Sequence, residues 1–221
     1  MLDQLIIGEI GSLDFDASVK ERSVGFPAKK SIKETVPFSN ITYDFSAING
    51  EVYWEERVLE YVFEIIAVSA EELEEKKQPF ISWLMNVTEQ PIHDPYIKDY
   101  HFVGTFSDIS CDDSEFEKST ITAKFTAYPY MIANNAKVYS YVLAAGDEIT
   151  VNIQNNSSHR ITPKFVNDVP VSVTLRDVTF SFGSGETTNE VVKLSKGANV
   201  MKIKATGSGG VVEIVFTEEV L

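Results

Sequence analysis

Short stretches of alternating apolar and polar residues, separated by turn residues, fill the C-terminal part of this 221-residue chain. Alternation with a period of two places every second side chain on one face, which predicts half-buried β-strands. The seven stretches are Val138 to Leu143, Glu148 to Ile153, Ile161 to Phe165, Val171 to Phe182, Glu190 to Leu194, Asn199 to Ala205 and Val211 to Phe216. Turns such as Gly183-Ser184-Gly185 separate them. Short strands at this regular spacing predict a β-sandwich of jelly-roll type.

The N-terminal part also has the pattern of strands. Val52 to Val68 alternates clearly and follows Asn49-Gly50, a strong hairpin turn signal because both residues tolerate positive φ. Further strands are predicted at Ile41 to Phe45, Tyr100 to Phe106 and Thr120 to Ala127. The sequence as a whole therefore predicts a mainly-β fold.

One helix interrupts the strands. Ser69 and Glu72 form a capping box, in which the serine covers the amide of Glu72 and the glutamate reaches back. A helical stripe of apolar residues follows, made of Leu73, Phe80, Leu84 and Val87. Pro79 lies within this segment and removes one backbone donor, so a kink or a break is predicted near Gln78.

The distribution of charge suggests two domains. Residues 1–133 hold 11 Lys and Arg against 24 Asp and Glu, a net charge of −13, whereas residues 134–221 hold 8 against 9. Tyr128-Pro129-Tyr130 ends the acidic half and is predicted to be the interdomain linker. The predicted domains are residues 1–133, an α+β domain with one capped helix, and residues 134–221, a β-sandwich.

Charge and hydropathy exclude two classes of partner. A strongly acidic half repels phosphate, so no stable nucleic-acid binding is expected. The apolar stretches are strand-sized and far shorter than the ~20 residues that span a bilayer, and the Met1-Leu2-Asp3-Gln4 start has no signal-peptide pattern. No membrane association is expected.

Residues with catalytic or metal-binding potential are few. The three histidines, His93, His101 and His159, match no zinc-site spacing. The single cysteine, Cys111, precedes two aspartates that raise a thiol pKa, so it is interpreted as a buried or half-buried structural residue. The acidic stretch from Asp108 to Glu117 lacks the glycine of an EF-hand and is expected to be a solvated loop. No catalytic, metal or cofactor site is predicted, and the chain is not expected to be an enzyme.

A β-sandwich also raises the alternative of a carbohydrate-binding adhesion module. Sugar sites usually stack a ring on an exposed aromatic side chain, yet Trp54 and Trp83 both lie in the first domain. The alternative predicts exposed aromatics on one face of the second domain. A hydrolase, the third hypothesis, requires a pocket with convergent acid and base groups.

An ordered series of segments resembles the distal tail proteins of long-tailed (siphovirus-type) bacteriophages. The segments are Gly25 to Asn40, Glu51 to Arg57, Phe80 to Leu84, Tyr96 to Phe102 and Phe125 to Tyr130. The resemblance extends in ordered blocks over about residues 20–135, and the second domain matches the family in architecture only.

The resemblance implies a structural virion protein of the phage tail tip, made in the host cytoplasm. It implies a ring-forming first domain and a galectin-like second domain on the outside. Family members form hexameric rings that join the tail tube protein to the tail-associated lysin or fibre protein and to receptor-binding proteins. The genome passes through the central channel of such a ring. A first domain with a net charge of −13 would repel DNA from the channel wall.

Within this reading, a basic stretch is the candidate subunit interface. Five cations lie between residues 20 and 33, namely Lys20, Arg22, Lys29, Lys30 and Lys33, against one acid, Glu21. Two prolines, Pro27 and Pro37, bracket the stretch and prevent a long helix. The interface candidates are Lys29, Lys30, Lys33 and Arg57, the last being expected to form an ion pair within the protomer or across the interface.

Overall fold

The computed structural model describes residues 3–47 and 50–221. Strands dominate it, which confirms the prediction of a mainly-β fold. The chain divides into two compact units, Met1–Met131 with Leu221, and Ile132–Val220, so the division falls two residues before the predicted boundary. Asn49, the first residue of the predicted Asn49-Gly50 turn, lies outside the described residues, so the turn stays a prediction. In the described part, no helix is both long and apolar enough to cross a membrane.

The described residues of the first unit form one antiparallel sheet, a separate hairpin, a short 3-10 helix (Ser12–Phe15) and one α-helix. Its elements are β1 (Ile6–Ile7), β2 (Ile10–Gly11), β3 (Ala17–Val24), β4 (Lys33–Thr35), β5 (Thr42–Asp44), β6 (Arg57–Ile66), α1 (Ala70–Met85), β7 (Gln90–His93), β8 (Tyr100–Glu115) and β9 (Lys118–Ala127). The strand order of the sheet is β2-β1-β7-β8-β9-β6-β3, whereas β4 pairs only with β5. Alternation on β6 and β9 directs one face of the sheet into an aromatic core that α1 covers. The ring centroids of Phe63 on β6 and Phe80 on α1 lie 5.0 Å apart.

Helix α1 begins as the sequence predicts but does not break. The Ser69 hydroxyl accepts a hydrogen bond from the Glu72 amide at 3.2 Å, and the Glu72 carboxylate accepts one from the Val68 amide at 3.0 Å. The helix then continues through Pro79 to Met85, so of the predicted kink or break near Gln78 the break does not occur. Pro79 faces solvent, while Phe80 and Leu84 on the following turns are fully buried. The core contacts on both sides of the proline hold the helix together at the cost of one backbone hydrogen bond.

The second unit is a sandwich of two four-stranded antiparallel sheets. Its elements are β10 (Met131–Ala133), β11 (Lys137–Leu143), β12 (Glu148–Asn155), β13 (Lys164–Asn167), β14 (Val171–Leu175), β15 (Val178–Phe182), β16 (Gly185–Thr188), β17 (Gly197–Ala205), β18 (Gly210–Phe216) and β19 (Glu219–Val220). The sheet orders are β11-β18-β13-β16 and β12-β17-β14-β15, and β10 pairs with β19. Phe165 and Phe182, from the two sheets, stack in the core with centroids 4.4 Å apart.

Two strand predictions within the sandwich are wrong. The stretch Val171 to Phe182 is a hairpin, because Arg176 and Asp177 adopt φ angles of 51° and 64° and turn the chain back. The predicted turn at Gly183-Ser184-Gly185 does separate two strands, since Gly183 and Ser184 lie between β15 and the edge strand β16, which pairs with β13. Glu190 to Leu194 is irregular and only makes an isolated bridge through Leu194, although Val192 and Leu194 are buried.

Candidate interaction surface: an exposed arm

Residues 25–56 leave the sheet of the first unit after β3 and return to it at β6; we call this segment the arm. Its base is a ladder in which the Lys30 amide donates to the Tyr53 carbonyl at 2.8 Å and the Glu55 amide donates to the Ala28 carbonyl at 2.7 Å. Its outer part is the β4–β5 hairpin, with Lys33 opposite Asp44. Two ladders connected in series give the arm its backbone structure, and its described residues contain no long helix, as the prolines predict.

The arm displays apolar side chains that the protomer does not bury. Phe38 and Phe26 are 110% and 89% exposed. Seven further large apolar residues on the described part of the arm are also exposed, namely Ile32, Val36, Ile41, Tyr43, Phe45, Val52 and Tyr53. Since contiguous apolar patches are rare on monomeric proteins, the arm has the composition of a surface that another chain covers.

The three lysines of the arm are all exposed, but the arm is not purely basic. Lys33 lies opposite Asp44, whose pKa is lowered first by hydrogen bonds from Ser46 and further by Lys33 and Lys29. The part of the arm that leads back to β6 contains Glu51, Glu55 and Glu56. The arm therefore presents both signs of charge beside its apolar residues.

The two other basic residues of the predicted stretch are engaged within the first unit. Lys20 on β3 forms an ion pair with Glu64 on β6, and this hydrogen bond is the main cause of the lowered pKa of Glu64. Arg22 forms an ion pair with the buried Asp94 at 2.8 Å and lies over the Tyr96 ring, 4.7 Å from its centroid. Lys20 and Arg22 thus have partners within the protomer, and the interface candidates Lys29, Lys30 and Lys33 stay predictions.

Arg57 differs from its prediction. Its side chain is buried, and the residue is only 2% exposed. Its guanidinium donates a hydrogen bond to the carbonyl of Pro129 and lies 5.4 Å from the centroid of Phe102. Among the described residues no carboxylate pairs with it, so the expected ion pair within the protomer is not formed, and burial lowers its pKa. A cation this buried has little surface to offer a neighbouring subunit.

The predicted linker is anchored in the first unit. The Tyr128 amide donates to the Val103 carbonyl at 2.8 Å, Tyr130 is 7% exposed, and Pro129 accepts the bond from Arg57. The rings of Tyr128 and Tyr130 lie 5.5 Å apart. These contacts hold the stretch in place up to the point where the first unit ends.

The structure places His93 and His101 side by side in the first unit and His159 in the second unit. The rings of His93 and His101 lie 5.1 Å apart, and burial, followed by the charge of His101, lowers the pKa of His93. His159 lies 3.3 Å from Glu219. Residues 3–47 and 50–221 contain no group of three or more His, Cys, Asp or Glu arranged to hold a metal ion.

Two expectations for the acidic stretch fail. Most of Asp108 to Glu117 belongs to β8 and pairs with β9, so it is a strand end instead of a solvated loop. Cys111, on β8, is exposed instead of buried or half-buried. Partial desolvation, followed by Asp113, raises the pKa of Cys111, and an unactivated thiol is what the neighbouring carboxylates predict.

The second unit lacks a sugar-stacking platform in its described residues. Its exposed large apolar residues are all valines, namely Val138, Val142, Val178, Val191 and Val200. An open groove of about 450 Å³ lies against β14 and β17, lined by polar residues such as Thr174, Arg176 and Lys202 and by no aromatic side chain. The alternative of carbohydrate binding thus lacks the feature that it predicts.

Comparison with known proteins gives a structural likeness without a sequence relative. No protein-family profile matches the sequence, and no curated protein matches it. The crystal structure of the Dit protein of phage SPP1, a hub of the adsorption apparatus in phages that infect Gram-positive bacteria, superimposes with a TM-score of 0.69. The match covers 100% of both chains at 14% identity, so the two proteins share a fold.

Two structures of the phage P2 baseplate in its activated conformation, with Ca and with Sr, are more distant. Their TM-scores are 0.46 and 0.44, each at 9% identity. They cover 97% and 98% of this chain, and 98% of the matched chain in each case. Likeness at this level does not establish a common fold.

Proposed function

We propose that this chain is a structural, non-enzymatic protein of a phage tail tip, a distal tail protein that forms the hub of the adsorption apparatus in the virion. The observation that carries the proposal is the likeness to the SPP1 hub protein, which extends over the whole of both chains and so includes both units of this one. The sequence segments that resemble distal tail proteins support it independently.

The arm supplies the contact that such a hub requires. An exposed ladder with nine large apolar residues and both signs of charge is suited to lie along a neighbouring copy. Because the arm contacts a surface different from itself, the interface is heterologous, and repetition around a rotation axis closes a ring. We propose that six copies form this ring.

The remaining roles follow from the position of a hub. In this proposal the ring joins the tail tube protein to the tail-associated lysin or fibre protein and to receptor-binding proteins. The channel passes the genome, and the acidic first domain keeps DNA from binding to the wall.

The mass of the protein in solution tests the ring. Light scattering across protein and salt concentration is expected to show a species of six times 24.7 kDa, or a whole multiple of it, and electron micrographs should show six-fold rings.

The triple variant Lys29→Glu, Lys30→Glu, Lys33→Glu should shift the mass toward the protomer with unchanged circular dichroism. Reversing three exposed lysines of the second unit, Lys196, Lys202 and Lys204, gives a matched control that should still assemble. Normal assembly of the arm variant would remove these lysines from the interface, and a strict monomer under all conditions would contradict self-assembly of the ring.

A further inference from the structure

Strand β11 forms an open edge of the sandwich. It pairs with β18 in seven consecutive positions from Lys137↔Phe216 to Leu143↔Gly210 without a bulge. Among the described residues, β18 is the only strand that pairs with it, and the backbone of 137–143 makes no hydrogen bond outside that ladder. Natural sheet edges are usually protected by lysine, proline, a bulge or short length. On β11 only the first residue, Lys137, offers such protection.

The sequence of this edge is a palindrome. Val138-Tyr139-Ser140-Tyr141-Val142 has the same order of residues in both directions, with Ser140 at its centre. When two copies run antiparallel about Ser140, each valine faces a valine, each tyrosine faces a tyrosine and the serines face each other. Lys137 faces Leu143, so no like charges are opposed, and β-branched and aromatic pairs of this kind stabilise a sheet.

The exposed face of the strand is apolar and continues on its neighbours. Val138 and Val142 are 55% and 81% exposed. Their partners in the ladder are Val215 and Val211 on β18, which are half-buried. The opposite face carries Tyr139, which stacks on Phe216 with centroids 6.2 Å apart and exchanges hydrogen bonds with the backbone of Gln154. The core face is therefore fixed by the protomer, and only the valine face and the edge remain to be covered.

We infer that β11 is a self-association surface, on which β11 of a second copy pairs antiparallel about a two-fold axis at Ser140 and joins two four-stranded sheets into one of eight strands. Glu213, opposite Ser140 on β18, is the charge closest to the centre of the row. The two copies of Glu213 would lie three strand spacings apart, ~14 Å, which exceeds the screening length in physiological salt. The contact is short, so the pairing is weak for single protomers and strengthens when an assembly presents several edges together.

Disulfide cross-linking at the axis tests the pairing. Directly opposed residues of antiparallel strands have Cα atoms about 4.5–5.5 Å apart, within the ~4.4–6.8 Å range that a disulfide spans. Ser140→Cys in a full-length Cys111→Ser background should form a covalent dimer on oxidation. Ser181→Cys in the same background is the matched control, because Ser181 is also an exposed serine on an edge strand, β15, and should not cross-link. The absence of dimer from Ser140→Cys, or equal dimer from both variants, would overturn the proposal.

Charge complementation tests the two-fold axis itself. Ser140→Lys and Ser140→Glu each oppose identical charges at the axis, so each variant alone should have half the wild-type mass at high concentration. An equimolar mixture should regain the wild-type mass, whereas Ser181→Lys and Ser181→Glu should not differ from wild type. A mixture that stays at half mass would overturn pairing about Ser140. Pairing through β11 doubles the mass whether the paired species is a ring or a single protomer. The arm variant, in contrast, affects only ring formation. The two experiments can therefore contradict one proposal without contradicting the other.

Discussion

At the scale of single residues, Arg57 is the most informative side chain in the first unit. Its guanidinium holds the carbonyl of Pro129, 72 residues away, in a buried site. Truncation would leave that carbonyl without a donor and open a void beside Phe102. Arg57→Ala is therefore expected to lower the free energy of unfolding by about 2–3 kcal/mol, measured by urea denaturation.

Lys124→Ala is the control for this prediction. Lys124 lies 3.5 Å from Glu60, and both side chains are 40% exposed. Exposed pairs of this kind contribute about 0–1 kcal/mol, so the control should change stability little. If the two variants were equally stable, the buried hydrogen bond of Arg57 would not contribute to the stability of the fold.

Arg57 also shows what sequence reasoning misses at this scale. A lone arginine among many carboxylates suggests an ion pair, but a backbone carbonyl carries no signal in the sequence. Phe26 and Phe38 show the same limit, because both are large and aromatic yet exposed. Composition identifies a residue as apolar or charged, and only the tertiary contacts decide which partner it meets.

At the scale of elements, Lys77 and Asp113 connect helix α1 to the β8–β9 hairpin. The Lys77 ammonium, on a side chain only 7% exposed, lies 2.8 Å from the Asp113 carboxylate. Hydrogen bonds from Lys77 and then Ser119 lower the pKa of Asp113. A lowered folded-state pKa means that this contact stabilises the protein above the unfolded pKa of about 3.9 and is lost as pH falls through the folded value.

Asp113→Asn should therefore flatten the acid side of the stability profile. Between about pH 5 and pH 2 the Tm of wild type should fall more steeply than that of the variant, as measured by calorimetry. The effect is modest because the Asp113 side chain is 45% exposed. Glu117→Gln, which removes an exposed carboxylate that no described cation contacts, should follow the wild-type profile. A variant profile parallel to wild type would show that the connection does not depend on the charge of Asp113.

Pro79 is a second test at this scale. Its ring faces solvent within a continuous helix, so the proline leaves one carbonyl without a donor and makes no core contact. Pro79→Ala is expected to raise the free energy of unfolding by about 1–3 kcal/mol. Gln78→Ala, at the neighbouring exposed position, should have an effect within about 0.5 kcal/mol. A destabilised Pro79→Ala variant would mean that the proline sets a helix geometry on which the core depends.

Elements are predictable from sequence where their own residues carry the pattern. The strands β11, β12, β17 and β18 are each predicted to within two residues, because alternation and turn residues occur in the strand itself. The failures occur where a partner determines the structure. Gly185–Thr188 becomes a strand because β13 pairs with it, and Glu190 to Leu194 stays irregular although Val192 and Leu194 are buried.

At the scale of the whole molecule, the two proposals assign the arm and the edge strand β11 to different kinds of assembly. In the proposed ring the arm contacts a different surface on its neighbour, whereas in the proposed pairing β11 contacts its own copy about a two-fold axis. The sequence indicates the arm through its prolines and lysines. The open edge becomes visible only when the pairing order of the sheet is known.

The division into two units leads to a last prediction. A fragment of residues 132–221 retains most of β10, whose Ala133 amide donates to the Glu218 carbonyl at 2.8 Å, and Lys137, which pairs with the nearly buried Glu218. The fragment also keeps the complete sandwich core, so it should unfold in one cooperative transition by circular dichroism. A fragment of residues 136–221 lacks β10, which leaves the Glu218 carbonyl without its donor, and its Tm should be lower by roughly 4–8 °C per kcal/mol lost. If residues 132–221 were unfolded in isolation, the second unit would depend on the first for its stability and would not be an independent domain.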